Sequence, residues 1–293
     1  LIEDTEDEDF GEINSDGAII VGSEGKGELT IQSSAQVTAH NLYIADSTTG
    51  DGTVLVDSSA ALTVADTIEV GYENTADMTV QGSATVNTHS LIVGVESTAD
   101  GTLTVTTSGT LNTGIEQPGV TYSDPAKFVI GEFGTGAMNV TNGGVVNSGA
   151  AGIGLETGST GTVTVGGAGA AASWNVAGDL DIGKAGTGTL TLASDGTVDV
   201  DGATELGADG GTGSLAFSGG VLNTGTLGAD VSDLSGTGTI NTSGLAGLLN
   251  QVTFNAGNTY SETLTSGGPT SVAVNVTADG DGDYFVVVDA ANA

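Results

Sequence analysis

Cysteine is absent from the 293 residues, which excludes both a disulfide framework and a thiolate metal site. Arginine is absent as well, and the only lysines are Lys26, Lys127 and Lys184. Set against 37 Asp and Glu residues, they leave a formal charge of -34. A surface with so few cations has almost nothing to neutralise phosphate, so neither nucleic acid nor anionic lipid is expected as a partner. The longest apolar runs, such as Phe285 to Val288, are far too short to cross a bilayer, and no membrane insertion is expected.

Aromatic residues make up only 4% of the chain and tryptophan occurs once, whereas glycine occurs 50 times. Large side chains are too few to fill a thick core, and a thin, elongated one suits this composition better. Disorder is the usual reading of high net charge, but charged residues total only 14% while 38% are hydrophobic, spread in short Val, Leu and Ile runs. No leader is visible and the chain begins at Leu1, as expected if an export signal has been removed. So acidic a surface suits a saline or calcium-rich exterior, and an extracellular or cell-surface location is expected.

What the chain does have is self-similarity. An apolar-x-apolar-Gly unit is followed by an acidic turn, then Gly-x-apolar-Thr-apolar, then small residues and a Val/Leu-Asn-Thr unit. The closing residues of the first unit are Gly22, Ala45, Gly71, Gly94, Gly131, Gly154, Gly183, Gly207 and Gly228, at successive spacings of 23, 26, 23, 37, 23, 29, 24 and 21. The second strand follows as Leu29/Ile31, Val54/Val56, Met78/Val80, Leu103/Val105, Met138/Val140, Val163/Val165, Leu190/Leu192 and Leu215/Phe217. Its first apolar residue lies 7 or 9 positions after the marker in the first seven repeats. A difference of two preserves which side chains point inward, whereas a difference of one would turn every one of them outward. In the eighth repeat the distance is 8, so the odd residue must be absorbed in the Gly-rich turn from Asp209 to Gly213.

Three short strands per repeat, separated by Gly, Asp, Asn and Ser turns, are too small to bury a face as separate hairpins. Coiling once per repeat lets each strand pair with its equivalent one turn away, at about 4.8 Å, and lines up the apolar columns. The expected fold is all-β: a single-stranded parallel β-helix of about nine rungs, roughly 40 to 45 Å long, and right-handed by the general crossover preference. A β-propeller would need four strands in about 40 to 45 residues per blade, with an aromatic signature in each, which one tryptophan cannot supply. The expected organisation is an acidic cap or arm at 1–17, β-helix repeats at 18–242, and a distinct β-rich cap or assembly segment at 243–293. Spacings of 37 and 29 mark insertions, one from Gly114 to Lys127 and one around Gly166 to Val176.

Around the tryptophan the chain reads Ser173-Trp174-Asn175, then Gly178-Asp179-Leu180-Asp181-Ile182-Gly183 and Gly188-Thr189-Leu190-Thr191-Leu192. This resembles the repeats of bacterial autotransporter passenger domains and related secreted β-helical adhesins, specifically over some twenty residues and more weakly over 18–242. The resemblance implies an exported β-helix, often adhesive and sometimes a scaffold for other activity. No translocator barrel follows the repeats and the end at Ala293 lacks the expected aromatic residue, so anchorage by another route, or removal of that part, is implied.

Chemistry is harder to find. Lyases built on β-helices use basic side chains, and three lysines in unrelated repeat positions do not serve. Stacked carboxylates would satisfy hydrolase spacing by geometry alone and carry no signal. His40 and His89 each lie five residues before a marker, so they are expected as solvated turn residues two rungs apart. Asn87, Asn112, Asn147 and Asn223 share one repeat position and should stack as an amide ladder. Threonine columns suggest ice binding, but threonine is simply a good strand former. Two acidic features are candidate calcium ligands: the column Glu24, Glu73, Glu96, Glu156, Asp209 and Asp230, two residues after the markers, and Asp279, Asp281 and Asp283, whose 1, 3, 5 spacing can wrap one Ca²⁺.

The expected function is therefore non-enzymatic and structural: a filament or surface-layer subunit, or an adhesin stalk, with head-to-tail self-association through terminal strands and surface glycans as partners. No cofactor is required, with Ca²⁺ as the one candidate. The alternative is a carbohydrate-binding or carbohydrate-cleaving β-helix with its site at the Gly114 to Lys127 loop. If the registration is right, Val105→Asp buries an unpaired charge in a thin core and costs several kcal/mol. A thermal melt within a degree or two of the parent would contradict it.

Overall fold

Short runs that alternate apolar and small polar residues form strands whose two faces differ, and the stacking follows from that difference. The computed structural model describes residues 2–3, 12–14, 17–120, 122, 124–167, 169–229, 233–246, 251–253, 259–264, 271–277 and 284–286, with side chains within 17–242. The chain is an all-β solenoid of about eight turns, with the strands of the repeats paired in parallel to their equivalents above and below. Second strands stack as Lys26–Gln32, Asp51–Val56, Thr75–Val80, Asp100–Val105, Thr135–Val140, Thr160–Val165 and Thr187–Ala193, then as parts of Thr212–Gly228 and Leu234–Ala246. Eight steps of about 4.8 Å make a rod of about 38 Å.

The expected parity holds along this column. Ile31, Val56, Val80, Val105, Val140, Val165, Leu192 and Phe217 are successive register partners. Leu215 falls opposite Leu190, so the eighth turn takes up its odd residue in the corner between strands. All of these side chains are buried in one continuous core. Bulk is balanced between turns: Trp174 meets Phe128 edge-on at 5.8 Å, and small Ala151 sits in the same core. The Trp174 indole N–H donates to Ser148 Oγ at 3.0 Å, which satisfies the one polar atom of a fully buried ring.

The third strands carry the asparagine ladder, and it is longer than the sequence suggested. Asn112 Nδ2 donates to Asn87 Oδ1 at 2.8 Å, Asn147 to Asn112 at 2.8 Å and Asn175 to Asn147 at 2.7 Å. Asp199 is the register partner of both Asn175 and Asn223, and Asn241 donates to Asn223 at 2.7 Å. Each of these later asparagines donates to the turn before it, and the run is interrupted at Asp199, whose carboxylate accepts from Asn223 Nδ2 and has no proton to give to Asn175.

Two corner types close each turn. At the marker corner Gly154 has φ of 66°, and a Cβ there would lie 2.1 Å from the Thr187 carbonyl oxygen of the next turn. Ala45 alone takes this conformation with a side chain, at φ of 60°. Between second and third strands the corner is a tight turn with two left-handed residues, closed for example by Ala60 N–H donating to Asp57 C=O at 3.0 Å. Serines Ser33/Ser34 and Ser58/Ser59 occupy these positions, where Asn142-Gly143 stands in a later turn.

Parallel pairing also occurs outside 18–242. Ile2–Glu3 and Glu12–Asn14 pair in parallel with Lys26–Gln32 and Gln36–Ala39. Ser271–Thr277 pairs in parallel with Leu234–Ala246, and Thr259–Leu264 then folds back on it antiparallel. Gln251–Thr253 and Tyr284–Val286 form a separate antiparallel pair.

Because left-handed backbone costs an ordinary residue about 1 kcal/mol or more, Ser58→Asn with Ser59→Gly should stabilise the fold by about 1 kcal/mol or more. Denaturant melts of the double variant measure it, and an unchanged midpoint would contradict the corner assignment.

Candidate functional site

Nearly every repeated residue is consumed by the solenoid itself, so a site has to be sought where the repetition breaks. The insertion from Gly114 to Lys127 leaves the third strand at Asn112 and rejoins at Phe128–Ile130. It is pinned at both ends to Thr85–Val93: Gly114 N–H donates to His89 C=O at 2.9 Å, Ile115 N–H to Thr88 C=O at 3.1 Å, and Lys127 N–H to Ser90 Oγ at 3.0 Å. In between, Tyr122 Oη donates to Ala65 C=O at 2.8 Å and accepts from Gln117 N–H at 2.8 Å. Folded back in this way, the loop encloses a cavity of about 360 Å³ against the outer face of the first strands, between His40, Asp66, Glu69, His89, Tyr122 and Lys127.

His89 is not the solvated turn residue that its repeat position suggested. It is only 5% exposed, because the insertion covers it: Tyr122 stacks on its ring at 3.8 Å and its Nε2 lies 3.3 Å from Asp124 C=O. A carbonyl only accepts, so Nε2 carries a proton, while Nδ1 is buried without a partner. His40, equivalent in the repeat and outside this cover, is exposed as expected and lines the same cavity.

Glu69 is an outward residue of the first-strand column Tyr43, Glu69, Ile92, Val129, Gly152, register partners on successive turns. Its Oε2 is also buried without a partner. Burial first, and then the carboxylates of Glu132, Asp46, Asp66 and Glu96, push its carboxyl up to about 7 from 4.5. Burial and the Glu69 charge likewise raise the phenols of Tyr43 and Tyr72, whose rings lie 6.3 Å apart. Around them Ile92, Val95 and Val129 form a second, outer apolar cluster with Tyr72 and Leu155. Past Lys127, which donates to Glu132 Oε1 at 3.0 Å, a shallower cavity of about 240 Å³ continues over Val129 and Leu155 to Asp179 and Asp181. The two cavities share Lys127 in their walls, and carboxylates line both.

The calcium candidates lie elsewhere. Glu24, Glu96, Glu156 and Asp209 are exposed and Glu73 half-buried in the marker corners. Among the described members of that column only Glu73 and Glu96 stand on consecutive turns, since Ser47, Phe133 and Ala185 occupy the intervening places. Among the described residues no group of three or more His, Asp or Glu gathers as a metal site. Asp230, Asp279, Asp281 and Asp283 lie outside the described residues. Sequence reasoning missed Glu69, Asp66 and Tyr122; one available signal was the pair of histidines in equivalent positions flanking Asp66 and Glu69, immediately before an insertion.

Comparisons with protein-family models, with curated proteins and with solved structures gave no match. The β-helical repeat fold is shown by the structure.

Because the folded-state pKa of Glu69 is raised, its contribution to stability falls as pH rises from about 4.5 to about 7. Glu69→Gln removes that penalty. The variant should melt with the parent near pH 4.5 and be more stable above pH 7, by about 1 to 2 kcal/mol after allowance for partial solvent exposure. A constant difference across this window would contradict the assignment.

Proposed function

We propose that this chain is a non-enzymatic structural protein of the cell exterior, a rod serving as a filament or surface-layer subunit or as an adhesin stalk. The observation that supports this reading is translation: turn after turn repeats one core, one amide ladder and one pair of corners, so the repeats set length and stiffness. The acidic surface suits an exterior rich in salt or calcium, and a passenger-type secreted adhesin is the relative that the Trp174 motif suggests.

Self-association belongs to the same reading. Among the described residues Ile2–Glu3 pairs only with Lys26–Gln32, and Thr259–Leu264 only with Ser271–Thr277, so each end offers a strand edge. Head-to-tail joining of such edges does not close and generates fibres. Calcium, on this proposal, acts by binding the folded rod and damping its self-repulsion.

A second reading, glycan recognition, is favoured by one specific observation, the cavity beneath the Gly114 to Lys127 insertion.

Electron microscopy with sedimentation velocity tests the first reading. Strings of rods that grow with protein concentration are expected, and deletion of 284–293 should abolish them while the β-type circular dichroism persists. A parent chain that stays monomeric at every concentration, with and without millimolar calcium, contradicts self-association.

A further inference from the structure

The outer face of the second strands changes character along the rod. Its first three turns carry Lys26, Glu28, Asp51 and Asp77 among the outward residues. After Asp100 the charges stop: from Thr102 through the turn that begins at Thr212, every outward position holds Thr, Ser, Ala or Asn, as in Thr160, Thr162 and Thr164. Strand propensity does not account for the change, since all these turns form the same strands. Nor does solubility, which in a chain of formal charge -34 rests on exposed carboxylates. The third-strand face is also poor in charge, but its amides are spent on one another and Asp199 interrupts them.

The chemistry of this face limits what can cover it. A basic partner would be drawn to the carboxylates of the corners and not to an uncharged sheet. An acidic partner would be repelled by the rim, where Glu156, Asp195 and Asp209 are exposed. The partner must present an uncharged face, and another copy presents one whose ridges repeat at the same spacing of about 4.8 Å. Five strands by about 20 Å of strand length give about 500 Å² on each copy, or about 1,000 Å² for a pair, the size of a reversible contact. Charge also fixes the direction. Parallel rods would set Glu28, Asp51 and Asp77 against their own counterparts. Antiparallel rods centred on Thr162 set uncharged turns against one another and keep these residues from meeting their own kind. We propose that two copies pack face to face and antiparallel through the second strands from Thr102 to Ala216, independently of the strand edges at the ends of the rod.

The test is analytical ultracentrifugation of the whole chain in about 0.01 M and about 1 M NaCl, which shortens the screening length from about 30 Å to about 3 Å. At low salt the acidic rims should keep the parent monomeric, and at high salt a monomer–dimer equilibrium should appear. Thr162→Glu puts two carboxylates opposite each other within the contact and should weaken the high-salt dimer at least about tenfold. Thr53→Glu, at an exposed position on the same face outside the patch, should leave it unchanged. A nitroxide on Thr75→Cys, in a chain otherwise free of cysteine, reads the direction without touching the contact. Antiparallel pairs put the two labels six turns, or about 29 Å, apart along the rod, whereas parallel pairs bring them opposite each other across sheets about 10 Å apart. A parent that is monomeric at both salts, a dimer that Thr162→Glu leaves intact or that Thr53→Glu weakens equally, or labels in close contact overturns the proposal.

Discussion

Hydrogen bonding of each strand to its counterpart one turn away is the constraint on which this molecule rests. No single turn has enough apolar surface to fold alone, and none satisfies its own backbone N–H and C=O groups. The stack satisfies both needs at once, but only if every turn keeps the same register. That requirement explains the even differences between spacers, the left-handed corners and the glycine at markers such as Gly94, Gly131, Gly154 and Gly183, where the carbonyl of the next turn leaves no room for a Cβ. It also explains how so few aromatics suffice, since a thin core is filled by Val, Ile and Leu, and Phe128 and Trp174 are accommodated beside a small Ala151.

Much of this was legible in the sequence because period and parity are properties of the chain itself. The marker column, the second-strand column and four members of the amide ladder could be read directly. The rest depended on spatial register: Asn175 was hidden in the Ser-Trp-Asn motif, Asp199 stands in the ladder without being an asparagine, and the Ser58-Ser59 corner lacks the glycine that usually announces such backbone. His89 was misread because its environment is made by residues 114–127, an insertion that repeat alignment sets aside. Glu69 was missed because by position it is an ordinary outward residue, and the burial of its carboxyl is a matter of its surroundings in space.

Repetition and function thus separate along the chain. Where turns repeat, side chains are committed to stacking and the outer surface stays flat. Where the repeat is interrupted between Asn112 and Phe128, polar groups are buried without the regular partners that a turn supplies, and a concave surface results. A rod of this design can vary its length by adding turns without disturbing the cavity, and can vary the cavity without disturbing the stack.

The register of neighbouring turns is the central claim, and a cysteine-free chain allows it to be measured by cross-linking. Thr104 and Asn139 are register partners on adjacent turns, and Thr164 is the partner of Asn139 one turn further on. Adjacent turns place the first two Cα atoms about 4.8 Å apart, within disulfide reach, and the outer two at about twice that, beyond it. Thr104→Cys with Asn139→Cys should oxidise to an intramolecular disulfide, visible as faster migration on a non-reducing gel and loss of free thiol. Thr104→Cys with Thr164→Cys should stay reduced under the same conditions. A first pair that remains free, or a second that cross-links as readily, would contradict the stacked register and the solenoid built on it.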